Sequence, residues 1–197
     1  GLNRVQFAPM HSASELRYSY EDYLQALDDS AIKLEYCAGI IYAMAGGTLA
    51  HAELSGAVIR ILGQLLLGRC VVLTSDAKVR VESSDFAGFP DASIVCGTRQ
   101  TSRIDANALV NPTLIDEVTS RPTEAYDRGE KLSHYQRIAS LDTVVFVSHR
   151  ERRVTVVSRN VGWTSRDFYA GEVVEILSPA VSFQIDQLYQ GITLDPT

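Results

Sequence analysis

The stretch LIDEVTSRPTEAYDRGEK, residues 114–131, begins as an apolar strand and then runs into two carboxylates, Asp116 and Glu117. Burying an unpaired carboxylate is expensive, so an apolar run that delivers acids to its end implies a cation waiting there. Upstream, NPTLIDEV reads as a strand opened by Pro112 at a position where proline is tolerated. Downstream, Pro122 fits the first turn of a helix that carries Leu132, Tyr135 and Ile138 on one face.

The flanking sequence supplies further elements. SYEDYLQAL opens with Ser19 as an N-cap and Asp22 three positions on, the pattern of a capping box. IKLEYCAGIIYAMAGG reads as a hairpin turning at Ala38 and Gly39 and stopped by Gly46 and Gly47. Between residues 48 and 68, Leu54, Val58, Ile61, Leu62, Leu65 and Leu66 recur at helical spacing and predict a helix long enough to cross a sheet. CVVLTSDAKVRVE (70–82) and FPDASIVC (89–96) read as two strands with a loop between them. DTVVFVSHRERRVTVVSRN is a hairpin whose charged tip is expected to be solvated. GEVVEIL adds a strand and FQIDQLYQ a last helical turn. Helices interleaved with strands and hairpins predict an α/β (α+β) chain built on a mixed β-sheet. A single domain is expected over 18–197. Gly1 stands where an initiator methionine would, so residues 1–17 read as a tag remnant and flexible N-terminus.

With 197 residues and 46% hydrophobic content, the chain can fill one core. Its 18 Lys+Arg against 24 Asp+Glu give a net charge of −6, which argues against coating nucleic acid by bulk electrostatics. A nuclease is still compatible, because an acidic metal site adds negative charge that bound cations neutralise. Cys37, Cys70 and Cys96 form no C-x-x-C pair and have no companion histidine cluster in sequence, so they are expected to be buried core thiols. No secretion signal and no apolar run of roughly 18 residues is present, which predicts a soluble, cytoplasmic protein with no membrane partner.

Two strands begin or end in acid: Asp91, after Pro90, and Asp116 with Glu117. If they are neighbours in one sheet, Asp91 and Glu117 share a small volume where like charges repel unless a hard cation sits between them. Oxygen-only ligation suits Mg²⁺ or Mn²⁺; zinc is not expected, since no His or Cys falls at ligand spacing beside these acids. The plainer alternatives are a turn aspartate at 91, an edge glutamate facing water at 117, and surface i,i+4 pairs for Asp127 with Lys131 and Glu124 with Arg128.

The ordered set KLEYCAGIIYAMAGGTLAHAEL, FPDASIV, LIDEVTSRPTEAYDRGEKLSHYQRI and LDTVVFVSHRERRVTVVSR followed by GW resembles the Uma-type family of restriction endonucleases, within the PD-(D/E)XK nuclease superfamily. The resemblance implies a restriction-endonuclease-like mixed sheet flanked by helices, preceded by the N-terminal helix and hairpin. It also implies a Mg²⁺-dependent (or Mn²⁺-dependent) endonuclease that hydrolyses DNA phosphodiesters. By the same resemblance, Asp91 and Glu117 would be metal ligands, joined by the carbonyl of Val118. Glu35 would add a further metal or water contact. Thr119 stands where the superfamily keeps a lysine, and the D-x-x-x-K that this family carries in the next helix falls on Asp127 and Lys131, so Lys131 is expected to reach back to the site. EVTSRP replaces the usual E-V-L-S-P. EILSP at 175–179 spells that motif more faithfully, but no PD strand shortly precedes it and no D-x-x-x-K helix follows, so chain order decides against Glu175. His51 and Asp127 are candidates for substrate contact, and His134 is expected to be structural. A homodimer is expected, as the commonest symmetric assembly. Two other functions fit the same residues: a non-catalytic homodimeric module that binds nucleic acid or protein, and a nuclease acting on RNA or nucleotides.

Overall fold

The computed structural model describes residues 17–44, 46–120 and 123–196. The expected N-terminal remnant lies outside them apart from Arg17, and so does Pro122. Helix α1 (Tyr20–Asp28) starts as the sequence indicates. The Ser19 hydroxyl accepts from the Asp22 N–H, and the Asp22 carboxylate accepts from the Ser19 N–H at 2.8 Å. The hairpin of β1 (Leu34–Cys37) and β2 (Ile40–Ala43) turns at Ala38 and Gly39, both at positive φ. Thr48 caps α2 (Leu49–Leu65), which buries Leu54, Val58, Ile61 and Leu62 on one face.

The stretch 70–82 is two strands, not one. It breaks at 75–77 into β3 (Cys70–Thr74) and β4 (Lys78–Val81), which join different sheets. Ser75 and Asp76 make the turn, closed by the Ala77 N–H on the Thr74 carbonyl at 3.0 Å. After these come β5 (Phe86–Gly88), β6 (Ala92–Cys96), β7 (Ala108–Leu109) and β8 (Leu114–Thr119). Strands β9 (Thr143–Ser148) and β10 (Arg153–Ser158) form the expected hairpin, and β11 (Thr164–Tyr169) extends it. A further hairpin, β12 (Val173–Leu177) and β13 (Ala180–Gln184), forms a small two-stranded sheet and leads into α5 (Ile185–Leu188).

Of the two larger sheets, one has the order β2-β1-β5-β4-β7 and the other β11-β10-β9-β8-β6-β3. The second is mixed: β8 runs parallel to β9 and antiparallel to β6. Helix α2 and the β12–β13 hairpin cover one face of it, where Leu114, Val118 and Val145 join Leu54 and Ile61. On the opposite face Ile115, Val144 and Phe146 pack with Val79, Phe86 and Tyr135 from the first sheet and the helical segment after β8. All six residues of β8 are buried, so Asp116 and Glu117 lie within the strand and not at its end. Strand alternation sends them apart, Asp116 toward α2 and Glu117 toward Tyr135.

The helical segment after β8 is composite: α3 (Glu124–Tyr126), a π-helical turn (Asp127–Lys131) and α4 (Leu132–Tyr135). Ile138 is buried just beyond its end. The wide turn, a feature that recurs at functional sites, buries both Asp127 and Lys131. Cys70 and Cys96 stand directly opposite each other on β3 and β6 and form a disulfide, correcting the expectation of free core thiols. Cys37 is free and buried. Among the described residues no helix is long and apolar enough to cross a membrane.

Candidate functional site

The β6–β8 register pairs Ala92 with Asp116, and continuing it one step beyond β6 sets Asp91 beside Glu117. Both line a cleft of about 500 Å³ whose walls also include Glu35, His51, Asp127 and Lys131. The sequence-predicted residues therefore gather in one place, from β1, α2, the β5–β6 connection, β8 and the π-helical turn.

The buried ammonium of Lys131 is their hub. Its Nζ lies 3.0 Å from Glu35 Oε1, 3.0 Å from Glu117 Oε1 and 3.9 Å from Asp127 Oδ1. Glu117 Oε1 also accepts from the Tyr135 hydroxyl at 2.7 Å. Glu35 has room only because residue 88 is glycine; a Cβ there would stand 2.7 Å from Glu35 Oε1. Asp91 faces the other wall, with Oδ2 accepting the Val118 N–H at 2.8 Å and meeting His51 Nε2 at 3.3 Å. Val118, expected to offer its carbonyl, thus engages Asp91 through its N–H. Thr119 is buried with its hydroxyl toward the Val147 carbonyl at 3.4 Å.

Burial opposes the Lys131 charge, but Glu117, Glu35 and Asp127 outweigh it and hold its pKa above the usual lysine value. Burial pushes Glu117 up to about 8, aided by Asp91 and Asp127 and opposed by Lys131 and Tyr135. Burial likewise raises Asp127. The hydrogen bond to Asp91 raises His51, against its own burial. Glu35, Asp91, Glu117 and Asp127 outnumber the cations among them, and all offer oxygen, a donor set that fits a hard divalent cation. The three expected ligands are not gathered as a compact trio. Glu35 and Glu117 flank the ammonium while Asp91 turns to His51. Among the described residues, the trio whose ligand atoms do lie within 4.8 Å of one another is Cys37, Glu130 and His134. His134, expected to be structural, stands beside buried Cys37, a proximity that the sequence spacing does not show.

Other neighbours escaped the sequence reading. His149 was assigned to a solvated hairpin tip, yet it is buried, lines the cleft, and meets Asp195 Oδ2 through Nδ1 at 2.6 Å. At the tip Glu151 and Arg152 are exposed, as expected, while Arg150 and Arg153, with Arg128 from the helical segment, gather on Glu124 at 3.4, 3.2 and 3.0 Å. No period-based signal marks this, because an arginine-rich turn looks the same whether water or a distant glutamate receives it. Glu175 sits far from the cleft residues' contacts, exposed on β12 and paired with Arg166 at 3.5 Å.

The chain is 32% identical over 184 residues to the uncharacterized protein slr1290 of Synechocystis sp., covering 92% of this chain and 96% of that one. A second Synechocystis protein, the uncharacterized sll1609, is 26% identical over 128 residues, 64% of this chain and 72% of its own. In fold, the chain is similar to a crystal structure from Anabaena variabilis described as a "putative nuclease belonging to DUF820", with a TM-score of 0.73 at 14% identity, over 88% of this chain and 98% of that one. The Uma2 family model, described as "Putative restriction endonuclease", matches residues 20–193, so this chain belongs to that family.

Proposed function

We propose that the cleft is the active site of a Mg²⁺- or Mn²⁺-dependent endonuclease that hydrolyses DNA phosphodiester bonds, working in the cytoplasm as a homodimer. The observation that carries this reading is the buried Lys131 ammonium, 3.0 Å from both Glu35 and Glu117 in the cleft that Asp91 also lines. Asp91 and Glu117 would hold the cation, joined by the Val118 carbonyl, with Glu35 as a further ligand or as the group that orients water. The bound cation supplies Lewis-acid polarisation of the phosphate and acidifies a water molecule. Lys131, kept protonated by its three carboxylates, serves as a charge donor to phosphate oxygens and positions the attacking water; it is not a base. Tyr135 donates to Glu117, and His51 and Asp127, which line the cleft, would be the substrate contacts.

Single-turnover cleavage of plasmid DNA with Mg²⁺ or Mn²⁺ tests this. The parent should cut, and Asp91→Ala should abolish cutting while leaving the fold intact. Lys131→Met should slow turnover by about 10²-fold or more, the scale of losing one electrostatic stabiliser, with little change in metal affinity. Equal rates in parent and variants would contradict these roles. Thr119 in the lysine position and the net charge of −6 favour the non-catalytic binding module as the second reading. Metal binding with no cleavage of DNA would select it, and cleavage confined to RNA or nucleotides would select the third.

A further inference from the structure

The geometry points to a second metal site at the edge of the carboxylate cleft, built from other ligands: Cys37, Glu130 and His134 form a three-ligand site for a thiophilic divalent cation, Zn²⁺. Cys37 Sγ lies 3.3 Å from His134 Nε2 and 3.7 Å from Glu130 Oε1. Zinc bonds of about 2.3 Å to sulfur and 2.0–2.2 Å to nitrogen or oxygen, at a tetrahedral angle, set neighbouring ligand atoms about 3.6 Å apart. The observed separations bracket that value before any movement. The donor chemistry is also distinct from that of the cleft: thiolate, imidazole and carboxylate suit zinc, whereas the oxygen-only group suits Mg²⁺ or Mn²⁺.

The local structure explains why the three meet. Glu130 and His134 are four residues apart and share one face of the helical segment. Cys37 ends β1 just before the Ala38 and Gly39 turn. The His134 ring stacks on Phe86 with centroids 4.7 Å apart and planes 9° from parallel, which fixes its orientation. Its Nδ1 is buried, so Nε2 is the nitrogen presented to Cys37. Glu130 is exposed and borders the cleft, which gives a cation a way in. Three protein ligands leave a fourth position for water.

Occupancy would join two elements that the cleft already depends on. Cys37 is two residues from Glu35 on β1, and Glu130 immediately precedes Lys131. A cation there pins the π-helical turn to β1, the same junction that the Lys131–Glu35 pair spans.

The test is Co²⁺ titration of the chelator-treated protein in a Cys70→Ser/Cys96→Ser background, where Cys37 is the remaining thiol. The expected result is a saturable thiolate-to-cobalt charge-transfer band at one equivalent, displaced by Zn²⁺. Cys37→Ser should abolish it, and the exposed-site variant Glu130→Gln and His134→Gln should each weaken binding by about 10-fold or more. Asp91→Asn should leave the band unchanged. Zn²⁺ should raise the unfolding midpoint of the background protein and not that of its Cys37→Ser variant. Absence of the band, or full binding when Glu130 and His134 are both replaced, would overturn the site. Neither outcome depends on whether the protein cleaves DNA.

Discussion

Asp116 and Glu117 are adjacent acids on one strand with opposite surroundings. Glu117 has Lys131 and Tyr135; Asp116 is wholly buried against Val58, Ile61, Leu62 and Val147, with neither carboxyl oxygen hydrogen-bonded to another protein group. Burial raises its pKa well above the ordinary aspartate value. Because an unsatisfied buried polar group costs about 1–3 kcal/mol, Asp116→Val should stabilise the protein by roughly that amount in urea unfolding. A loss of stability would show that the acid has a role that the apolar surroundings conceal. At this scale the gathering of Glu35, Asp91, Glu117 and Lys131 in one cleft was legible in the sequence, because their motifs occur in a recognisable order. The reach of Lys131 toward Glu117 was expected; its equal approach to Glu35 and the π-helical turn that carries it were not, because no residue type announces that turn. His149 was hidden by its neighbours: three arginines around a histidine read as a wet turn.

At the scale of elements, α2 and the two hairpins were legible from period and turn residues, whereas 70–82 was misread. Its β-rich runs differ little on either side of Ser75 and Asp76, so the pattern carried no sign that the chain changes sheets there. Strand β11 was missed because five of its six residues are exposed and leave no apolar alternation. The disulfide was illegible for a related reason: Cys70 and Cys96 are 26 residues apart in sequence and opposite only once β3 pairs with β6. Thiol titration of the unfolded, unreduced protein should therefore find Cys37 alone, and reduction should release two more. Three thiols before reduction would contradict the pairing.

The junction of α1 with the first sheet rests on a buried pair, Lys78 with Asp105 at 2.7 Å, joined by the Tyr20 hydroxyl at 2.8 Å. Burial works against the Asp105 carboxylate, but Lys78 and Tyr20 outweigh it and hold its pKa below the ordinary value of 3.8. A depressed folded pKa means that this stabilisation is present above pH 3.8 and is lost as pH falls through the lower folded value. Asp105→Asn should cost about 3–5 kcal/mol at neutral pH by leaving Lys78 buried and unpaired, and the gap to the parent should narrow in acid. A gap independent of pH would contradict the ion pair.

On the scale of the whole molecule, two sheets and a composite helical segment enclose a cleft in which carboxylates outnumber cations, within a chain of net charge −6. On the proposed reading a divalent cation would join the Lys131 ammonium in balancing these carboxylates. The class of fold was legible from helices interleaved with hairpins; the division into two sheets was not, because it rests on strand pairings remote in sequence. The measurement that bears most directly on the central claim is anomalous diffraction from crystals soaked in Mn²⁺. The account predicts a Mn²⁺ peak in contact with the carboxylates of both Asp91 and Glu117, absent in Asp91→Ala. No peak in the cleft, or one confined to Cys37, Glu130 and His134, would contradict it.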